Sequence, residues 1–192
     1  MRIEPDIKLD YASVLMRPKR SVLGSRKDVD LQRRFRYRHY KPSEPGLSRR
    51  EEHGDFKGIP LMASNMDGVG TLEMADKLAH QRMFTCLVKT YSVTELVNYF
   101  DVDHNDRKNN VAMSIGILDH DHQKFRDVYE QTGNKLKYVC IDVANGYSER
   151  FLDFISTFRK NYPEIVIIAG NVVTADQTQE LILNGADIIK VG

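Results

Sequence analysis

Asp142 is where chemistry first surfaces in this chain. It closes an apolar run, Tyr138-Val139-Cys140-Ile141, and a small corner, Ala144-Asn145-Gly146, follows before Ser148 opens an amphipathic segment. A carboxylate beside apolar neighbours needs a partner or a ligand, because an unpaired buried charge is expensive. The arrangement recurs. Polar residues also close apolar runs at Ser64-Asn65-Met66-Asp67-Gly68, at Lys89-Thr90-Tyr91-Ser92, at Ser114 and Gly116, at Gly170-Asn171, and at Lys190 and Gly192. Any single polar tip is simply where a strand meets water. A whole set of them, with an Asp and a Lys among them, describes a small-molecule site. Lys89 is the cation to weigh: it anchors a phosphate, steers an acid–base step, or only snorkels to water from its strand end.

Other chemistry-bearing residues carry less. Cys140 falls on the same side of its strand as Asp142 by the period of two, and a nearby carboxylate disfavours the thiolate that a nucleophile requires. Cys86 and Cys140 are therefore expected to be small buried hydrophobes. Asp119-His120-Asp121-His122 has the residue types of a metal site. Neighbours one and two apart do not share a helix face, however, so the expectation is a helix capped by Asp119 with exposed histidines and no metal. The chain carries neither a G-x-G-x-x-G dinucleotide fingerprint nor a phosphate-binding P-loop, which disfavours a Rossmann enzyme.

The elements that must position these residues follow from a repeat of pattern rather than of letters. Apolar runs recur roughly every 25 residues, at 59–66, 84–89, 111–117, 138–143, 165–169 and 187–191. Between them lie segments of helical period, such as Leu72, Ala75, Leu78 and Ala79, or Phe151, Phe154, Ile155 and Phe158. Ser92 before Glu95, Ser148 before Glu149 and Thr174 before Asp176 mark helix starts, and Gly185 marks a stop. Strands alternating with helices at this spacing make parallel βαβ units, and strands apolar throughout are covered on both faces. The pattern holds six strands and five helices. A doubly wound sheet has room for that number, as does an incomplete (β/α)8 barrel. Residues 1–57 stand outside the repeat as an N-terminal arm and surface loop, with 58–192 forming the repeat itself. The Pro-, Gly- and charge-rich part, from Lys41 to Asp55, reads as a mobile loop.

Composition bounds the rest. The chain has 192 residues, 41% apolar and 29% charged, with net charge +1, which fits one ordinary domain or part of a larger one. No global basic field points to nucleic acid. The local basic density from Arg17 to Arg38 is either a solvated arm or a phosphate or partner contact. No apolar run approaches the ~20 residues of a membrane span, and the N-terminus lacks the apolar core of a signal peptide. Two cysteines make no secreted disulfide framework, so a cytoplasmic location is expected.

Five stretches together carry a resemblance: Leu15-Met16-Arg17-Pro18-Lys19-Arg20-Ser21, Asn65-Met66-Asp67, Asp142-Val143-Ala144-Asn145-Gly146-Tyr147-Ser148, Ala169-Gly170-Asn171-Val172-Val173-Thr174, and Gly185-Ala186-Asp187-Ile188-Ile189-Lys190-Val191-Gly192. In order and spacing they resemble the IMP dehydrogenase/GMP reductase family, on its GMP reductase branch, over nearly the whole chain. The resemblance implies a (β/α)8 TIM barrel, present here as its first six strands. It implies reductive deamination of GMP by NADPH to IMP and ammonia, through a cysteine that attacks C2 of the purine and a hydride that releases the product. It assigns Ser25, Arg26, Lys89, Asp142, Val143 and Ala144 to the cofactor and Met66 to the nucleotide. The nucleophilic cysteine, its threonine and the family's K+ site are expected beyond Gly192, so the 192-residue chain alone is expected to be inactive. The resemblance further implies a cytoplasmic homo-oligomer, a tetramer at full length, taking GMP and IMP. The rival readings are an IMP dehydrogenase-like oxidoreductase and a catalytically dead half-barrel that binds a nucleotide or pairs with full-length subunits.

Overall fold

A computed structural model describes residues 7, 9–41, 56–101 and 109–192. Nearly all of the stretch expected to be a surface loop, from Pro42 to Asp55, lies outside the described residues. The chain divides into two compact units, Met1–Asp30 and Leu31–Gly192.

In the first unit the backbone is held by local polar side chains. The Asp10 carboxylate accepts the Ser13 backbone N–H at 3.0 Å and caps a 3-10 turn, Tyr11–Ser13. Ser25 caps a second turn, Arg26–Asp28: its hydroxyl accepts the Lys27 N–H at 3.2 Å while the Asp28 carboxylate accepts the Ser25 N–H at 3.0 Å. Tyr11, Leu15, Met16 and Val22 are almost fully exposed.

The second unit is built on a six-stranded parallel sheet in sequential order: β3 (Met62–Ala63), β4 (Phe84–Cys86), β5 (Val111–Ile115), β6 (Tyr138–Asp142), β7 (Val166–Val172) and β8 (Ile188–Val191). All five strand-to-strand pairings are parallel. Helices α1 (Leu72–His80), α2 (Val93–Asp101), α3 (Asp119–Thr132), α4 (Glu149–Asn161) and α5 (Ala175–Leu183) fill the crossovers. The expected alternation of strand and helix is thus present, and the sheet curls as an incomplete barrel. A short antiparallel pair, β1 (Arg33–Phe35) and β2 (Phe56–Gly58), which the apolar periodicity did not reveal, precedes it.

Strand alternation sorts the apolar residues into two cores. Val111, Met113, Ile115, Val139, Ile141 and Ile167 face the helices and pack with Leu96, Phe125, Phe151, Ile155 and Phe158. Full burial of each such side chain contributes about 1.5–3 kcal/mol. Phe84, Cys86, Ala112, Tyr138, Cys140, Val166 and Ile168 line the concave face. Phe56 of β2 meets Phe84 edge-on at 5.7 Å, and Phe84 meets Tyr138 at 4.9 Å. The β1–β2 pair therefore closes the amino-terminal end of the concavity with aromatic rings.

The helix ends obey their caps. Ser92 and Glu95 bond reciprocally at the start of α2, Ser148 caps α4, and Thr174 caps α5. Gly185 follows α5 with φ of 107°, a left-handed conformation that glycine alone adopts readily. One expectation is corrected. Asp119 does not cap α3; the Asp121 carboxylate does, accepting the Leu118 N–H at 3.2 Å. His120 is exposed, whereas His122 is not: its ring lies among Phe125, Phe154, Phe158 and Tyr162, because it falls on the helix face turned toward α4. Among the described residues no group of three His, Cys, Asp or Glu side chains is placed to hold a metal.

Candidate functional site

Because all six strands run the same way, their carboxyl ends share one rim, and ligands in such folds lie there. Asp142 is the last residue of β6. Its side chain stays about a quarter exposed, and both oxygens are engaged: Oδ1 by the Lys190 ammonium at 2.7 Å and Oδ2 by the Asn65 amide at 2.8 Å. Lys190 also donates to Asn65 Oδ1 at 2.8 Å. The three groups form a closed ring of charge-assisted bonds. Asn65 follows β3 and Lys190 lies in β8, so this ring joins the first and last strands of the sheet to its middle.

Gly170 makes that placement possible. A Cβ there would lie 2.6 Å from Lys190 Cβ and 2.7 Å from the Lys190 carbonyl. The absent side chain lets β7 and β8 approach closely where Lys190 turns inward. The corner after Asp142 is held by backbone bonds. Val143 N–H donates to the Gly170 carbonyl at 2.8 Å, and Asn171 N–H returns one to Val143 at 3.0 Å. Asn145 accepts the Tyr147 N–H at 3.0 Å. The Tyr147 oxygen in turn accepts N–H groups of Val173 and Thr174 at the start of α5. Bonding to Thr174 and to those backbone groups holds the Tyr147 phenol below its ordinary pKa.

The site residues expected from sequence distribute as follows. Asp142, Val143 and Ala144 form one continuous wall of the rim, with Ala144 exposed. Met66 lies beside Asn65, 63% exposed, in a turn closed by Gly70 N–H to the Met66 carbonyl. Lys89 sits past the end of β4 with an exposed side chain, and its carbonyl accepts the Lys124 ammonium at 2.7 Å. Ser25 and Arg26 belong to the first unit, at the capped turn described above. Lys190 and Asn65 were legible only as strand tips. Their pairing with Asp142 depends on the curl of the sheet, which sequence spacing does not encode.

Both cysteines are buried on the concave face. The Cys86 thiol donates to Met62 Sδ at 3.5 Å. The neighbouring Cys140 thiol, then burial, pushes Cys86 well above the usual thiol range, while Cys86 holds Cys140 down. Asp142 pushes the Cys140 thiol up, as expected, but Cys86 and then the Lys190 ammonium act the other way, so Cys140 is held down rather than up. Neither sulfur reaches the rim as an exposed nucleophile.

A curled parallel βαβ sheet whose polar strand ends converge on one rim defines the class: the barrel-type α/β proteins that hold small ligands at strand carboxyl ends. The chain belongs to the IMP dehydrogenase / GMP reductase domain family, whose model matches residues 9–192. It is 47% identical over 191 residues to a GMP reductase of Caenorhabditis elegans, covering 100% of this chain and 50% of that one. It is 44% identical to GMP reductase 1 of Homo sapiens, covering 100% and 51%, and 44% identical to a GMP reductase of Citrobacter koseri, covering 100% and 52%. The chain spans about half the length of the curated relatives it matches.

Proposed function

We propose that this chain forms the first part of the barrel of a GMP reductase, an oxidoreductase that converts GMP to IMP and ammonia at the expense of NADPH. The observation that carries this reading is the Asp142 ring. The stretch that the resemblance assigns to the cofactor wall ends a buried strand in a partly exposed carboxylate, locked by Lys190 and Asn65. Such a carboxylate keeps lone pairs free toward the rim and suits the hydroxyls of a ribose. The residues present therefore fit a nucleotide cofactor. Bound there, NADPH supplies the hydride.

The chain's own groups bind and orient. Asp142 accepts hydrogen bonds, with its orientation fixed by two donors. Val143 and Ala144 offer a smooth wall, and Lys89 brings a cation to the same rim. The resemblance also assigns Ser25 and Arg26 to the cofactor, where a guanidinium suits a phosphate, and Met66 to the purine nucleotide. A cytoplasmic homotetramer with a K+ ion belongs to the same reading. The exposed apolar side chains of Tyr11, Leu15, Met16 and Val22 support contact with further copies.

Titration of the chain with NADPH, followed by nucleotide fluorescence, tests the wall. Saturable binding that is lost in Asp142→Ala is expected, and binding unchanged by that substitution would sink the assignment. Comparing GMP-dependent NADPH consumption with IMP-dependent NAD reduction by the whole protein decides between the reductase and dehydrogenase readings.

A further inference from the structure

We propose that Tyr147 and Gln177 are positioning residues for the cofactor, holding the corner after Asp142 in the shape that presents Val143 and Ala144 as a wall. The inference rests on the reading of that wall as the cofactor's. Asp142 has its own partners in Lys190 and Asn65, but the residues after it leave the sheet. Val143 is still paired, its N–H to the Gly170 carbonyl and its carbonyl to the Asn171 N–H. Ala144 and Asn145 then run exposed, and the next fixed point is Gly146.

Two side chains cross between this corner and the start of α5, in opposite directions. The Tyr147 hydroxyl oxygen accepts the N–H groups of Val173 at 2.8 Å and Thr174 at 3.1 Å. Gln177, in the first turn of α5, returns a bond: its side-chain amide donates to the Gly146 carbonyl at 2.7 Å. Gly146 N–H also donates to the Asn171 carbonyl at 3.1 Å. The approach needs a glycine, since a Cβ at 146 would lie 2.6 Å from the Asn171 carbonyl oxygen and 2.8 Å from Val172 Cγ1. Ala144 and Asn145 are thus pinned on both sides, and every pin comes from the next βα loop.

These bonds supply geometry more than stability. Tyr147 is 44% exposed and Val173 65% exposed, so water can satisfy the same N–H groups when the hydroxyl is removed. A phenol suits the task because it is rigid, with few torsions to freeze. The device recurs at the same rim. The Tyr91 hydroxyl, two residues after Lys89, accepts the Leu72 N–H at 3.1 Å and ties that loop to the start of α1.

The test is steady-state kinetics of the whole protein with NADPH and GMP, comparing wild type, Tyr147→Phe, Gln177→Ala and the double variant. Each single change is expected to raise KM for NADPH ~3–10-fold, as for loss of a neutral hydrogen bond, with kcat and KM for GMP unchanged. The double variant should lose little more than the worse single one, because either break frees the same corner. No NADPH consumption by the wild type sinks the cofactor reading and this inference with it. An active wild type with an unchanged NADPH KM in both variants sinks this inference alone. A matching fall in kcat or rise in GMP KM marks general damage and also overturns it, as do single losses that add in the double variant. Where a variant fails to fold, amide hydrogen exchange of the wild type decides. NADPH should slow exchange at 143–147 and 173–177 together, and protection confined to one of the two segments overturns the proposal.

Discussion

Lys190 is the residue on which the rim depends. It supplies one of the two donors that fix Asp142 and also holds the other, Asn65. Its replacement by Ala leaves the carboxylate with Asn65 alone. Loss of one charged hydrogen bond of about 1.5–3 kcal/mol should weaken NADPH binding about 10–100-fold, measurable by the same fluorescence titration, while helix content by circular dichroism stays unchanged. Gly170→Ala should produce a similar loss with all three polar groups intact, because the new methyl would meet Lys190. At this scale the sequence was half legible. Asp142 announced itself as a polar end to an apolar run. That its partners stand 77 and 48 residues away follows only from the path of the sheet. Cys140 shows the same limit: its side of the strand was readable from period two, its nearness to Cys86 on the concave face was not.

Among the elements, α3 and α4 carry a titratable group inside an aromatic contact. Burial, then the Arg126 charge, holds His122 below its ordinary pKa, so the unfolded chain binds the proton more readily than the folded one. The stability this contributes is complete above the unfolded value of about 6.5 and is lost as pH falls below it. Urea denaturation at pH 7.5 and 5.5 should show a larger drop for wild type than for His122→Phe. A second contact ties α4 to β7 and β8. The Arg159 guanidinium meets the fully buried Asp187 carboxylate at 2.6 Å, and Asp187 also accepts the backbone N–H groups of Ile167 and His39. It sits at the amino-terminal face, where such groups serve stability rather than ligand binding. Asp187→Ala should cost about 3–5 kcal/mol, since it strands a buried cation, and the loss should appear in equilibrium denaturation. The helices were plain from their periods and caps. His122 was misjudged because four neighbouring polar letters gave no hint of which one turned inward.

For the whole molecule, the sheet that the repeat foretold ends in two edge strands, β3 and β8, whose outer edges pair with no strand among the described residues. Leu61 and Met62 on one side and Val191 on the other stay largely exposed. Open strand edges with apolar side chains recruit other chains. The 192-residue chain is therefore expected to associate in a concentration-dependent way, and Leu61→Lys should shift its sedimentation profile toward monomer. A profile already monomeric in the wild type at high concentration would contradict this. The architecture was readable because six similar units repeat it. The β1–β2 pair was not, because strands of three residues leave too little pattern to detect.

The contact between Asn65 and Lys190 also has a history in time. Ribosomes extend chains at about 5–20 residues per second, so the 125 positions between them take on the order of 10 s to appear. Asn65 waits 77 residues for Asp142 and a further 48 for Lys190, and until then the growing chain holds strands but no finished rim. The Asp142 ring thus closes only after β8 has been made, and a ligand seated on the rim would report that synthesis has passed that strand.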